Sequence, residues 1–384
     1  MIKRDIREKG KIMNTIGKSF RITAWGESHG KALGAVIDGC PSNLPLTEED
    51  IQKELNRRRP GYSLFSTPRK EGDKVEILSG IFEGKTTGAP ISAIVYNTNQ
   101  KSKDYSHLKN TPRPGHADLM YILKYGNYDY RGGGRSSGRT TIGHTIGGAI
   151  AKKLLNHTHN IKIIGYTTKI GNIEGDFNYY DSINNEKIIN EELINKIENN
   201  PLRCPSSNAD EMKDFVLNAM ENKNSVGGVI ELIALNVPVG VGNPIFGKLN
   251  GELSNAIMNI NAVKGVEIGR GFESAELLGS EMNDEYYYDE NNNIKLKTNN
   301  CGGVLGGISC GAPLVIRVAI KPTPSISAVQ STINLESKTK TNLEIGGRHD
   351  PIIVPRVIPV LESMMAITLS DLMIRGGFIH PCKL

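Results

Sequence analysis

The chain has 384 residues, 38% of them hydrophobic and 23% charged, a balance that fits a soluble globular protein and excludes the disordered and membrane-embedded classes. Its net charge of +5 suits a site that attracts small polyanions, and equally a weak nucleic-acid contact. Five cysteines, odd in number, far apart and without a CxxC pair, exclude a disulfide framework and a zinc site and fit a reducing cytoplasm.

In chain order, the basic start lacks the apolar run of a signal peptide, and no stretch of about 20 apolar residues follows to span a bilayer. Met13 opens a phrase, MNTIGKSF, that reads as a natural start. Residues 1–12 are therefore expected to be an N-terminal extension and 13–384 a single domain. Thr47 and Asp50 form a T-x-x-D pattern ahead of Ile51 and Leu55, the signature of a capped helix, which Pro60-Gly61 stops. The run Arg57, Arg58, Arg59 then sits at the helix C-terminus, where cations offset the macrodipole. A second helix is predicted from Thr141 to Leu155, because Ile142, Ile146, Ile150 and Leu154 recur every four residues and Gly143, Gly147 and Gly148 permit close packing. A third follows Pro359 and ends at Gly376-Gly377, with Leu361, Met364, Met365, Leu369, Leu372 and Met373 as a broad apolar face. Lys74–Leu78, Ile91–Tyr96, Val229–Val239 and Leu314–Ile320 read as strands. The Asn-rich stretches 172–200 and 289–300 read as surface insertions or hairpins. Helices and strands mix without a βαβ rhythm, so the class is α+β.

Four Gly- or Pro-rich segments concentrate the residues that carry chemistry. Gly26-Glu27-Ser28-His29-Gly30 sets a histidine between glycines, a proton donor at neutral pH or an ordinary turn histidine. Arg113-Pro114-Gly115-His116-Ala117-Asp118 places a second histidine beside a guanidinium able to grip phosphate or carboxylate; the bland alternative is a turn in which Asp118 caps a helix starting near Leu119. Arg131 to Arg139 has three arginines, two hydroxyls and a glycine run just before a helix, an anion cradle. RNA-binding RGG elements occur as repeats in disordered tracts, and this is one copy leading into a helix, which argues against nucleic acid as a partner. Gly346 to Pro351 joins Arg348 to Asp350, a carboxylate able to act as a base. The glycine-rich 301–309 segment has neither GK[ST] nor GxGxxG, so Walker-type nucleotide and Rossmann-type dinucleotide binding lose support. Guanidinium groups outnumber catalytic acids, which points to a small substrate with several negative charges.

The motifs GESHG, RRRPG, RPGHAD, DYRGGGRSS, INAVKGVEIG, GGVLGGIS, KPTPS and GRHDP, in this order between Asn14 and Leu372, resemble the signatures of the chorismate synthase family. The resemblance implies a β-α-β sandwich with central helices between antiparallel sheets, a homotetramer, and a lyase reaction. That reaction is a 1,4-anti elimination of phosphate from 5-enolpyruvylshikimate 3-phosphate that yields chorismate, the last step of the shikimate pathway to aromatic amino acids. It needs reduced FMN without net redox change.

By the same resemblance, His29 protonates the departing phosphate, His116 keeps the reduced flavin protonated, and Asp350 assists proton removal at flavin N5. Cofactor contacts fall to Arg135, Ser136, Ser137, Asn261, Ala262, Gly306, Lys321, Pro322, Thr323, Pro324, Ser325 and Arg348. Arg58, Arg113 and Arg139, with Arg348, hold substrate anions or NADP; no metal is implied. Leu64 stands where many members carry an arginine, with Arg69 nearby, which argues against direct NADPH contact. The family's RSSARET reads RSSGRTT here, and KPTSS reads KPTPS. No flavin reductase domain is attached, so a separate reductase is expected to supply reduced FMN, with NADPH as an indirect reductant. A flavin-dependent oxidoreductase and an RNA-binding module are the rival classes, and neither accounts for the ordered motifs.

Overall fold

The computed structural model describes residues 13–61, 65, 72–98, 108–177, 179, 189–346 and 350–384. Among them are eight α-helices: α1 Glu48–Arg58, α2 Asp118–Tyr125, α3 Ile142–His159, α4 Glu191–Asn199, α5 Ala209–Glu221, α6 Leu249–Met258, α7 Gly279–Met282 and α8 Val354–Arg375. Two five-stranded antiparallel sheets accompany them. The first runs Thr15–Ile16, Arg21–Gly26, Ala32–Asp38, Ile91–Tyr96, Val75–Ser79 in spatial order. The second runs Val263–Ile268, Leu314–Ile320, Gly228–Leu235, Lys162–Ile170, Ile173–Glu174.

Alternation decides which face of the first sheet is covered. Leu33, Ala35 and Ile37 pair across the ladder with Val95, Ala93 and Ile91, and all six side chains are buried. Residues two apart on a strand share a face, so these form a continuous apolar patch. Helix α3 packs on strands Arg21–Gly26 and Ala32–Asp38, α8 packs on Lys162–Ile170 and Gly228–Leu235, and α1 packs on both α3 and α8.

The glycines of α3 set the spacing of these layers. A Cβ at Gly147 would fall 2.1 Å from Ile22 Cδ1, and one at Gly148 would fall 2.0 Å from Ser363 Cβ on α8. Each glycine costs a helix interior about 1 kcal/mol against alanine. Here the deficit is offset by close approach of sheet and helix.

Thr47 and Asp50 act as expected, the Asp50 carboxylate accepting from the Thr47 backbone N–H at 3.0 Å and from its hydroxyl at 3.1 Å. The second helix runs four residues beyond the predicted end and is closed by Asn160 in the left-handed conformation (φ 52°). The third begins at Val354, so Pro359 lies inside it rather than before it. This is a correction with a simple cause: so near the helix N-terminus, the missing N–H removes a single bond, to the Pro355 carbonyl. Helix α8 is long and apolar enough to cross a membrane by length and composition, and it is buried core. The strand predicted over Val229–Val239 ends at Leu235, and the polar 289–300 stretch contributes the turn and the second strand, Ile294–Leu296, of an exposed hairpin whose first strand is Tyr286–Tyr288.

Arg57 departs from the macrodipole explanation. Its guanidinium meets Glu54 at 2.8 Å, Glu198 at 2.7 Å and the buried Glu362 of α8 at 2.5 Å. Lys152 of α3 reaches the same Glu54 at 2.9 Å, and Glu362 also accepts from the Gly165 N–H at 2.9 Å. Burial alone would raise the Glu362 carboxyl, but the Arg57 and Lys152 charges beside it hold it well below the usual carboxylate range. One charged network thus ties α1, α3, α8 and the second sheet together.

Candidate functional site

The site is organised by the turn Arg131–Ser136 at the approach to α3. Gly132, Gly133 and Gly134 have φ of 58°, 84° and 52°, a left-handed path that residues with a Cβ seldom follow. Two histidines lie against the first two of these glycines. A Cβ at Gly132 would be 2.2 Å from His29 Cε1 and 2.3 Å from His29 Nδ1, while one at Gly133 would be 3.0 Å from His116 Cε1 and 3.2 Å from His116 Nε2. The glycine run therefore does more than turn the chain: it makes room for two imidazoles.

His29 is buried, with Nδ1 3.2 Å from Ser28 Oγ, and the Ser28 N–H donates to the Gly134 carbonyl at 3.3 Å. His116 is held at Nδ1, 2.7 Å from Asp118 Oδ1 and 3.1 Å from Arg113 Nη2. Burial pushes His116 below the ordinary imidazole value, Arg113 and Lys321 push the same way, and Asp118 opposes them.

Arg113 and Asp118 form a buried bidentate pair at 2.7 Å (Nε) and 2.8 Å (Nη2), and Arg113 Nη1 donates to Ser325 Oγ at 3.1 Å. Asp118 also accepts from the Tyr128 hydroxyl at 2.6 Å. The capping alternative for Asp118 does not hold. Asp118 is the first residue of α2, and its carboxylate turns back to Arg113, His116 and Tyr128 instead of the helix N–H groups.

The three arginines of the supposed anion cradle are divided among separate partners, which corrects the expectation of one shared cradle. Arg131 pairs with Asp129 at 2.8 Å, and Arg135 donates to the carbonyls of Gly26 and Ala24, both at 3.1 Å, and to Asn14 at 3.0 Å. Arg139 pairs with Asp73 at 2.9 Å and donates to Asn97 Oδ1 at 2.6 Å. The cause is local: left-handed residues and a 3₁₀ turn, Gly138–Thr141, rotate successive side chains to different sides.

Asp73 also takes Arg58, at 3.2 Å, and the Arg58 guanidinium donates to the Gly138 carbonyl and Thr141 Oγ1, both at 3.2 Å. Arg58 is pushed down to about 10, first by burial and then by neighbouring Arg356 and Arg139, against the opposing Asp73. Arg356 pairs with Asp350 and donates to the Arg58 carbonyl at 3.3 Å. Asn97 closes the circuit to His29, donating to the carbonyls of Gly30 at 2.8 Å and Glu27 at 3.3 Å.

On the opposite rim, Asn261 donates to the Ser136 carbonyl at 3.1 Å, the Lys321 N–H donates to the Ala262 carbonyl at 3.0 Å, and Lys321 Nζ donates to the Gly115 carbonyl at 2.7 Å. Ser136 Oγ donates to the Gly133 carbonyl at 2.7 Å, and Ser137 Oγ accepts from the Arg139 N–H at 3.3 Å. A Cβ at Gly115 would sit 3.4 Å from Pro324 Cβ, which places the Lys321–Ser325 turn over the His116 loop. Pro322 lies within that same turn. The Thr323 hydroxyl is buried with no hydrogen-bond partner among the described residues, an unfilled donor and acceptor in the predicted flavin run. That orphan hydroxyl, the glycine cradle and the nearby Lys321 charge fit a large, polar, anionic cofactor such as FMN.

The structure thus joins His29, His116, Asp350, Arg58, Arg113, Arg139, Arg135, Ser136, Ser137, Asn261, Ala262 and the Lys321–Ser325 turn through a chain of contacts. Gly306 is apart. It tips the hairpin Val304–Leu305 and Ile308–Ser309, where the Gly307 carbonyl accepts from Leu249 at the start of α6, whereas Asn261 follows the far end of that helix. Arg348, Leu64 and Arg69 lie outside the described residues. Asp73, Asn97, Tyr128 and Arg356 escaped the sequence reading; Arg356, six residues after Asp350, and Tyr128, ten after Asp118 and directly before DYRGGGRSS, carried a local signal, while Asp73 and Asn97 come from other segments of the chain.

A mixed α+β fold with buried guanidinium pairs and two imidazoles around a glycine turn has the features of an enzyme that acts on a small anionic molecule. The family model described as chorismate synthase matches residues 20–374. The chorismate synthase of Methanococcus aeolicus is 95% identical over 373 residues, covering 97% of this chain and all of that one. That of Methanocaldococcus jannaschii is 72% identical over 376 residues, 97% of this chain and 99% of that one. A crystal structure of a chorismate synthase superposes with a TM-score of 0.73 at 35% identity, over 94% of this chain and 92% of that one. The chain belongs to the chorismate synthase family. It is a lyase that converts 5-enolpyruvylshikimate 3-phosphate to chorismate, the final step of the shikimate pathway, and the family uses reduced FMN.

Proposed function

We propose that His29, His116 and Asp350 move the protons of this elimination, and that the arginines around Asp73 and Asp118 orient the substrate. The observation that carries this reading is the pair of histidines packed against successive glycines of one turn. Two imidazoles against neighbouring residues of one turn can address one ligand from two positions. His29, next to the Asn97 and Arg139 contacts, gives its proton to the departing phosphate. His116 holds a proton at Nε2, on the side of its ring that faces Gly133. Asp350, kept in place by Arg356, accepts a proton.

Reduced FMN, when bound, supplies transient electron density to the substrate and leaves without net oxidation. Ser136, Ser137, Asn261, Ala262, Lys321, Pro322, Thr323, Pro324 and Ser325 would hold it, with Arg135 shaping the turn beneath, and Arg348 and Gly306 as further contacts. Arg58, Arg113 and Arg139 would set the field for the substrate's carboxylates and phosphate. The electrons come from a separate reductase, with NADPH as its indirect source.

We read residues 13–384 as one domain whose two sheets enclose α1, α3 and α8 as a β-α-β sandwich, and residues 1–12 as an extension. The same reading makes the chain a cytoplasmic homotetramer. Exposed apolar side chains such as Phe246, Phe272, Leu123 and Tyr288 supply surface for partner copies, and five free cysteines fit the compartment.

An anaerobic assay with 5-enolpyruvylshikimate 3-phosphate and chemically reduced FMN tests the reading. Chorismate and phosphate are expected in equal amounts, and His116→Ala is expected to lose about 100-fold or more in turnover while keeping its melting temperature. Full turnover in that variant would remove His116 from the proton path.

A further inference from the structure

The geometry points to Asp118 as a positioning residue that fixes the tautomer of His116 and keeps its Nε2 turned to the glycine turn. This rests on the reading of His116 as a proton-transfer group. Asp118 is almost fully buried and receives donors from several directions: the Arg113 N–H at 3.2 Å, Nε at 2.7 Å and Nη2 at 2.8 Å, and the Tyr128 hydroxyl at 2.6 Å. His116 Nδ1 lies 2.7 Å from the same carboxylate.

Two partners compete for Nδ1, and they demand opposite tautomers. A hydrogen bond to Asp118 requires a proton on Nδ1, whereas accepting from Arg113 Nη2 at 3.1 Å requires a lone pair there. The carboxylate contact is shorter, and a charged acceptor makes the stronger bond. Arg113 Nη2 keeps one of its two N–H groups on Asp118 Oδ1 in either tautomer. Nδ1 therefore carries the proton, and Nε2 is the atom left to exchange one, on the side of the ring that faces Gly133.

The charged groups around the ring are Arg113 on its own loop, Asp118 at the start of α2 and Lys321 from the opposing turn, with His29 beyond the glycines. Burial and the two cations disfavour the imidazolium; Asp118 is the group that favours it. Removing the Asp118 charge and loosening the loop consequently move His116 in opposite directions. Loss of the charge lowers its titration midpoint, while exposure of the ring raises it toward the ordinary imidazole value of about 6.5.

Site-resolved exchange of the histidine C2 hydrogen, read by peptide mass spectrometry across a pH series on the full chain, separates the two. Asp118→Asn is expected to lower the His116 midpoint by about one unit or more. An unchanged or raised midpoint in the folded variant overturns the proposal. Should Asp118→Asn fail to fold, Tyr128→Phe takes its place, since it removes one competing donor and leaves the charge. The freed carboxylate then binds His116 more strongly and the midpoint rises by a few tenths of a unit; no change, or a fall, refutes the coupling. These readings do not depend on turnover, so full activity in His116→Ala would end the catalytic reading while leaving the Asp118–His116 coupling measurable.

Discussion

Gly132→Ala tests whether the glycine turn exists to seat His29. The new Cβ would stand 2.2 Å from His29 Cε1, 2.3 Å from Nδ1 and 2.9 Å from Ser28 Oγ, on a backbone with φ of 58°. An alanine in the left-handed region costs about 1–2 kcal/mol, and forcing a methyl into a packed interior adds about 1–3 kcal/mol. If the turn holds its path, stability therefore falls by about 2–5 kcal/mol, visible as a drop of several degrees in a thermal melt followed by circular dichroism. If the buried imidazole yields instead, only the backbone strain of about 1–2 kcal/mol remains and turnover falls by about 100-fold or more, because the proposed proton donor has left its position. Gly138→Ala is the control within the same segment. No heavy atom lies within 4 Å of its added Cβ and its φ is not positive, so that variant should stay within about 0.5 kcal/mol of the parent and remain fully active. Gly132→Ala with unchanged melting and unchanged turnover would show that the turn is not packed on His29 as described.

Two further expectations concern buried charge. Glu362→Gln leaves Arg57 and Lys152 without their shared carboxylate and should cost about 3–5 kcal/mol in chemical denaturation. Because the native carboxyl is held below its unfolded value, the gap between parent and variant should be full above about pH 5 and close as acid protonates the native group; a gap that grows in acid would contradict the network. His144, near the start of α3, is pushed down to about 4, chiefly by burial. The unfolded chain then binds a proton that the native one refuses between about pH 6.5 and pH 4, so stability falls as pH drops through that window, by at most about 3 kcal/mol. His144→Gln should flatten that slope, and an unchanged slope in urea titrations at stepped pH would assign it elsewhere.

The local elements were legible because their causes are local. The Thr47–Asp50 box, the four-residue recurrence from Ile142 to Leu154 and the alternation of Ile91–Tyr96 each act within a few residues, and each element was found where it was expected. Helix α8 was misplaced at its start since a proline is read as a boundary, although a proline in the second turn forfeits only one bond. Arg57 was misread for a different reason. Its role depends on Glu198 and Glu362, which are 141 and 305 residues away in sequence, and no pattern around RRRPG announces them. The candidate site was legible as motifs and illegible as a network. His29 and His116 could be singled out from their glycine-flanked loops, but not that Gly132 and Gly133 would bring them side by side.

The same distinction changes what the arginine count means. Read as a sum, the guanidinium groups suggest a strongly positive basin for a polyanion. In the structure, Arg113 is matched by Asp118, and Arg131 by Asp129. Arg58, Arg139 and Arg356 converge on two carboxylates, Asp73 and Asp350, which leaves one positive charge in excess among the described residues there. Arg58 is depressed first by burial, and the Arg356 and Arg139 charges add to that against Asp73. A small net charge is not a weakness in such a site. Paired guanidiniums are held in fixed orientations, so an arriving phosphate or carboxylate meets donors that need little reorganisation, and fixed donors in a desolvated pocket contribute more than mobile ones in water. On the proposed assignment of these arginines to the substrate, Asp73 and Asp118 are as much part of anion recognition as the arginines they hold, and a sequence reading that counts cations alone overlooks the acids that set their geometry.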